Sequence, residues 1–210
     1  DICNLSILKK IIIKKKPDYI FHLAAQSLVK NSFDDPINTL KTNTLGTINI
    51  LEALRKSQRN KQCVAIIITS DKCYENLEIS RGYHEEDRLG GKDIYSASKA
   101  SAEIAVKAYL ESFDLLKKNN VRVGIARAGN VIGGGDWAEN RLIPDCIKSW
   151  SKLKKVSIRN PYSTRPWQHV LEAIRGYIVL AINLKRNKKL HGEAFNFGPN
   201  VKNGKNVISL

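Results

Sequence analysis

Val64-Ala65-Ile66-Ile67-Ile68-Thr69-Ser70-Asp71-Lys72 passes from five apolar residues to four polar ones without a break. A short continuous apolar run of this kind reads as a strand buried on both faces of a parallel sheet. The polar residues then stand at the strand's carboxyl end, where open α/β sheets bind their ligands. Further on, Asp93-Ile94-Tyr95-Ser96-Ala97-Ser98-Lys99 sets a phenol and an ammonium four residues apart, on one face of a helix. Tyr-x-x-x-Lys alone describes many solvated surface pairs. Joined to a strand-end Ser70-Asp71-Lys72 it describes a reaction centre.

Around this centre the chain alternates. Ser6 to Lys16 reads as a helix with Leu5, Leu8, Ile12 and Ile13 inward, stopped by Pro17 before the strand Asp18 to Leu23. Asp35-Pro36 is a helix start, an acceptor at the cap and proline in the first turn, leading into a periodic segment from Ile37 to about Lys56. After the Val64 strand comes a polar loop from about Cys73 to Lys92. The Tyr95 helix then runs to about Lys117, and Val121 to Ala126 forms another strand. The alternation predicts an α/β fold with a doubly wound parallel sheet. From Gly129 the texture changes to a glycine-rich loop, a helix from about Arg141 to Trp150, a short strand near Val156 to Ile158, a helix from about Gln168 to Leu184 and a strand over Glu193 to Pro199. Two regions follow: residues 1–128 form the sheet with the reaction centre, and residues 129–210 a smaller substrate region interleaved with it.

The 210 residues are enough for one sizeable core. The opening at Asp1, the lack of methionine and the apolar close Val207-Ile208-Ser209-Leu210 read as a piece of a longer chain. No apolar run approaches a membrane span, and no signal-peptide pattern is present. Cys3, Cys63, Cys73 and Cys146 are scattered, without zinc or redox spacing, which suits a reducing cytoplasm and no metal. The net charge of +15 comes from lysines in helix-like stretches, Lys9 to Lys16 and Lys185 to Lys189, without aromatic stacking partners. Solvated helix faces explain it better than a nucleic-acid surface, and the basic balance favours an anionic small substrate.

A phenol beside an ammonium has its ionised form stabilised, so the sequence predicts a lowered pKa and a base role for Tyr95. Lys99 can hold ribose hydroxyls of a nicotinamide cofactor while Ser70 steadies the substrate oxygen, the parts needed for alcohol oxidation by hydride transfer. Asp71 and Lys72 add an acid and a possible base beside the oxidised sugar. His22, inside an apolar strand, reads as a packed, backbone-bonded histidine. Gly133-Gly134-Gly135 reads equally as a phosphate nest or a flexible turn, with no helix-opening Lys-Ser or Lys-Thr behind it.

Phe21-His22-Leu23-Ala24-Ala25-Gln26, Thr42-Asn43-Thr44-Leu45-Gly46-Thr47, Ser70 and Tyr95/Lys99, in that order, resemble the extended short-chain dehydrogenase/reductases, the NAD-dependent epimerase/dehydratase family. Thr69 through Asn76, then Gly82-Tyr83, Glu86-Asp87, Leu89-Gly90-Gly91 and Asp93, are most similar to the CDP-glucose 4,6-dehydratases. The resemblance spans essentially the whole chain. It implies NAD as cofactor, contacted by Asp1 and Ile2 at the adenine, by Leu23, Ala24 and Ala25 beneath it, and by Asn43, Tyr95 and Lys99. It implies a nucleotide-sugar substrate, CDP-glucose, held by Ser27, Asn130, Arg141, Leu142, Arg159 and Arg165, with Trp167 and His169 shaping the pocket. Ser27 and Gln26 could instead cap the next segment, and Arg165 could instead pair with a helix end. Ser70, Asp71, Lys72, Tyr95 and Lys99 are the implied catalytic set, converting CDP-glucose to CDP-4-keto-6-deoxyglucose. Related dTDP-glucose dehydratases carry Asp-Glu at Asp71-Lys72, so Lys72 acts either as the C5 base or as an electrostatic aid to the enolate. The resemblance implies a Rossmann-like sheet lacking its first βαβ portion in residues 1–128 and part of a sugar-nucleotide-binding region in residues 129–210. The glycine-rich pyrophosphate turn and the residue that selects NAD or NADP are absent, so this chain alone is expected neither to bind cofactor tightly nor to turn over. A homo-oligomer, dimer or tetramer, built through the Ile37 and Tyr95 helices, is also implied. The competing readings are a UDP-N-acetylglucosamine 4,6-dehydratase, a sugar-nucleotide epimerase or reductase, and a non-catalytic scaffold.

Overall fold

The computed structural model describes residues 1–57, 60–158, 160–200 and 205–209. Four parallel strands form its sheet in the order β1 (Tyr19–His22), β2 (Cys63–Ile68), β3 (Val121–Ala128) and β7 (Ala194–Phe197). In β2 the period of two sorts the side chains. Cys63, Ala65 and Ile67 join one core and Val64 and Ile66 the other, all of them buried, as the unbroken apolar run requires. The first core is completed by α1 (Leu5–Lys15), α4 (Gly46–Lys56), α5 (Ile94–Phe113) and α6 (Leu115–Asn119), through Ile12, Leu51, Leu54, Val106 and Leu115. The second is completed by α8 (Val170–Arg186), through Ala173, Tyr177, Leu180, Ala181 and Leu184. β1 is an outer strand, and Phe21 and Leu23 along it are exposed.

Several elements differ from their expected form. In α1 only Ile12 is buried; Leu5 and Ile13 face outward, because the helix offers the core one narrow stripe and Ile13 sits about 100° from Ile12. A short helix, α2 (Val29–Asp34), precedes Asp35. Asp35 caps α3 (Pro36–Leu40), its carboxylate accepting from the Asn38 amide at 3.0 Å. Between α3 and α4 lies a wide turn, Lys41–Leu45, in which the Gly46 amide bonds to the Lys41 carbonyl. The Tyr95 helix does not reach Lys117. Asp114 takes a left-handed conformation (φ 46°), ending α5 and capping α6 with its own carboxylate. Aspartate tolerates that conformation better than most residues and is also a good N-cap.

No strand forms over residues 156–158. Instead β4 (Val131–Ile132) pairs with β6 (Gln168–His169), and β5 (Thr164–Arg165) pairs with β8 (Lys205–Asn206). Gln168 therefore belongs to a strand, and α8 begins at Val170. The helix α7 (Leu142–Trp150) lies where expected, Gly135 turns with φ 83°, and Val207–Ser209 is one tight helical turn.

Candidate active site

The carboxyl end of β2 places the expected residues together. The Thr69 amide extends the ladder to the Ala126 carbonyl at 2.8 Å, after which the chain turns sharply through Asp71–Cys73. Ser70 caps that turn: its Oγ accepts from the Lys72 amide at 3.2 Å and donates to Asp71 Oδ1 at 3.0 Å. α5 packs directly on the turn. Tyr95 and Lys99, on facing turns of α5, are 8% and 6% exposed, and Lys72 Nζ lies 5.9 Å from the Tyr95 ring centroid.

Three contacts hold α5 in this pose. Asp93 caps it, with Oδ1 accepting from the Ser96 amide at 2.9 Å and Oδ2 from the Ser96 hydroxyl at 2.8 Å. Ser98, between Tyr95 and Lys99, is gripped by the wide turn: Asn43 Nδ2 donates to Ser98 Oγ at 2.9 Å and Thr44 Oγ1 to the Ser98 carbonyl at 3.0 Å. One turn beyond Lys99, Glu103 pairs with Arg127 of β3, and neither side chain is exposed.

Burial dominates the electrostatics. It pushes the Asp71 carboxyl above the ordinary carboxylate range, against the opposing pull of Ser70, Lys72 and Arg165, so the group tends to keep a proton, as a general acid must. The expected lowering of the Tyr95 phenol does not occur. Desolvation raises it, with the Asp71 and Asp93 charges adding to the rise, while Ser70 and Arg141 pull it down. Lys99 moves the other way, to about 8, because burial disfavours its ammonium more than Glu103 restores it. Burial thus favours a neutral phenol on the same helix face as a weakened cation.

The remaining residues fall on the same edge or near it. Leu23, Ala24 and Ala25 follow β1, the first two exposed. Arg141 reaches from the start of α7 to Asp136 at 2.9 Å and to Ser27 Oγ at 2.8 Å, joining two expected substrate residues from distant parts of the chain. Leu142 is the first residue of α7, and the Asn130 carbonyl accepts from the Gln168 amide at 2.9 Å. The Arg165 charge acts on Asp71, and its guanidinium donates to the Thr164 carbonyl at 2.9 Å. Arg159 lies outside the described residues. Asp1 accepts from the Cys3 amide, and Ile2 covers Gly46.

Two side chains have different work from that expected. Asn43 donates to the Gln26 carbonyl at 3.0 Å and to Ser98, and accepts from the Gln26 amide at 2.8 Å. Both of its amide hydrogens are engaged within the protein, so the structure makes it a brace between the β1 loop and α5. His22 bonds to the side chain of Thr47 at 3.1 Å rather than to backbone. Because the Thr47 hydroxyl hydrogen goes to the Asn43 carbonyl, His22 Nε2 is the donor.

Sequence reasoning passed over Glu103 and Arg127. Their signal was an arginine inside the apolar stretch of residues 123–128 and a carboxylate four residues after Lys99. A hollow of about 570 Å³ lies away from this edge, between the Glu75–Glu78 stretch and the Arg88–Lys92 stretch.

Solved structures place this architecture. The dTDP-glucose 4,6-dehydratase of Streptomyces venezuelae, determined with NAD bound, superposes with a TM-score of 0.81 at 23% identity, over 96% of this chain and 57% of that one. The dTDP-glucose 4,6-dehydratase of Bacillus anthracis, in complex with NAD, gives 0.79 at 25% identity, over 100% of this chain and 59% of that one. The fold is thus that of the Rossmann-like sugar-nucleotide dehydratases and epimerases. The chain belongs to the GDP-mannose 4,6-dehydratase family, whose model matches residues 1–202. It is 46% identical to the CDP-glucose 4,6-dehydratase of Salmonella typhimurium over 99% of its own length and 58% of that protein's. It therefore spans a little over half of that relative.

Proposed function

We propose that the protein to which this chain belongs is an NAD-dependent CDP-glucose 4,6-dehydratase, and that this chain supplies its proton-handling residues. The observation that carries the reading is the convergence of Ser70, Asp71, Lys72 and Tyr95 on one strand-to-helix edge, four groups that a simple binding module does not need. The 46% identity to a CDP-glucose 4,6-dehydratase supports the choice of substrate.

The residues present suit the cofactor. Lys99 is 6% exposed at residue level, its ammonium placed to meet ribose hydroxyls, and Leu23 and Ala24 expose an apolar floor beyond β1. NAD would supply a reversible hydride acceptor for oxidation at C4 and reduction at C6. Tyr95 first gives up its own proton, and its phenolate then receives the C4 hydroxyl proton while Ser70 Oγ orients that oxygen. Lys72, as the amine, removes the C5 proton and returns a proton to C5 when hydride reaches C6. Asp71 delivers its proton to the C6 oxygen as that bond breaks, so the hydroxyl leaves as water. Arg141 and Arg165 neutralise the diphosphate. The exposed Ile37 and Ile104, on helices that pack together, suit a self-associating face.

The test is to supply the full-length NAD-loaded protein with CDP-glucose and, separately, with UDP-N-acetylglucosamine. A 4-keto product from CDP-glucose supports the reading. Turnover of the second sugar alone overturns the substrate, and C4 epimerisation without loss of water overturns the reaction.

A further inference from the structure

Behind the Ser70–Lys72 turn lies a polar network that the proposed reaction does not use. Arg127 Nη2 bonds to Glu103 Oε2 at 2.5 Å and Nε to both Glu103 oxygens at 3.0 Å. Thr69 Oγ1 donates to Glu103 Oε1 at 2.5 Å, and Arg127 Nη1 donates to Tyr74 Oη at 2.7 Å and to the Glu85 carbonyl at 2.9 Å. Tyr74 Oη passes its hydrogen to Asn196 Oδ1 at 2.7 Å, and the Arg127 guanidinium also lies 4.8 Å from the Tyr74 ring centroid. Thr69 immediately precedes Ser70, and Tyr74 immediately follows the Asp71–Cys73 turn. One ion pair therefore grips both ends of the turn. Glu103 stands on the same helix face as Tyr95 and Lys99, at successive intervals of four residues.

A fully desolvated ion pair is poor evidence for a stability role, since apolar replacements of similar volume often fold as well. Its value here lies in geometry. We propose that the Glu103–Arg127 pair is a positioning clamp that fixes the acid-bearing turn against the Tyr95/Lys99 face of α5, so that loosening it slows elimination while leaving substrate affinity in place. Tyr95 and Lys99 share a helix and keep their relative places without the clamp. Asp71 and Lys72 sit on the turn, and their alignment with C5 and C6 depends on it. A displacement of about 1 Å remote from the reacting atoms costs on the order of a hundredfold in rate. The arginines that face the diphosphate belong to other segments.

This inference rests on the dehydratase reading, and the experiment separates the two. In the full-length enzyme, the double variant Glu103→Leu with Arg127→Met removes the charges and keeps bulk, while Tyr74→Phe and Thr69→Val each cut one arm. The expected result is kcat down roughly 10- to 100-fold with KM within about threefold, and reduced nicotinamide accumulating during turnover because oxidation outruns elimination. In the Tyr74→Phe and Thr69→Val proteins without substrate, the Lys72 and Cys73 amides should exchange hydrogen faster than in the parent. Unchanged kcat in a folded variant overturns the clamp, as does an equal loss of kcat and rise in KM. If the double variant fails to fold, the single variants decide by the same readings. If the parent makes no 4-keto product the dehydratase reading falls, and the amide exchange rates still decide: faster exchange supports the clamp, and unchanged exchange overturns it.

Discussion

Tyr95 carries its phenol out of water on the α5 face that packs against the Asp71–Cys73 turn. Neighbouring charge predicts a lowered phenol; burial to 8% exposure raises it, because removing the ring from water costs the phenolate more than nearby cations restore. Tyr95→Phe in the full-length enzyme should cut kcat by about 10²- to 10⁴-fold, the range for losing a general base, with the melting temperature little changed. Steady-state rates beside a thermal melt test this. His22 gives a second prediction. Burial holds its pKa down to about 4 from 6.5, so between those values the unfolded chain binds a proton that the folded chain refuses. The stability it contributes is complete above pH 6.5 and is lost as pH falls toward 4, on the order of 3 kcal/mol. Urea titrations across that window should show the decline, and His22→Asn should flatten it. The identities of Ser70, Asp71, Tyr95 and Lys99 were legible because spacing on strand and helix is periodic. The Glu103–Arg127 pair was not, because a buried charge is recognised only once its partner from another element is seen.

At the scale of elements, helices with strong start signals were readable and their internal faults were not. Asp35-Pro36 and Asp93 mark helix starts in any context. The wide turn at Lys41–Leu45 and the break at Asp114 have no glycine or proline inside them to announce them, and two-residue strands such as Thr164–Arg165 are too short for a pattern. The start of α5 is where local structure controls chemistry. Asp93→Ala removes acceptors for the Ser96 amide and hydroxyl and should cost about 1 kcal/mol of stability. Gly91 precedes that cap, and a Cβ there would lie 2.3 Å from the Ala97 backbone nitrogen. Gly91→Ala should cost about 1 to 3 kcal/mol, as overpacking does, and shift the first turn of α5. Chemical denaturation of both variants measures the losses, and activity falling with them would tie the cap to Tyr95.

At the scale of the molecule, strand and helix alternation sufficed for the parallel sheet, since β2 buries alternate residues on opposite faces and must be covered on both. The region after Gly129 was less legible. Its pairings join distant, short segments, and Arg141 reaches Ser27 across most of the chain. Exposed basic residues, Lys14 and Lys15 in α1 and Lys185 and Arg186 in α8, stand at helix carboxyl ends, where they complement the helix dipoles. The most direct test of the whole account is turnover of CDP-glucose by the full-length NAD-loaded protein in deuterated water, followed by mass spectrometry and proton NMR of the product. A 4-keto-6-deoxy sugar carrying one solvent deuteron at C5 is the predicted result. A C4-epimerised or merely oxidised sugar that keeps its C6 hydroxyl and its original C5 hydrogen would contradict it.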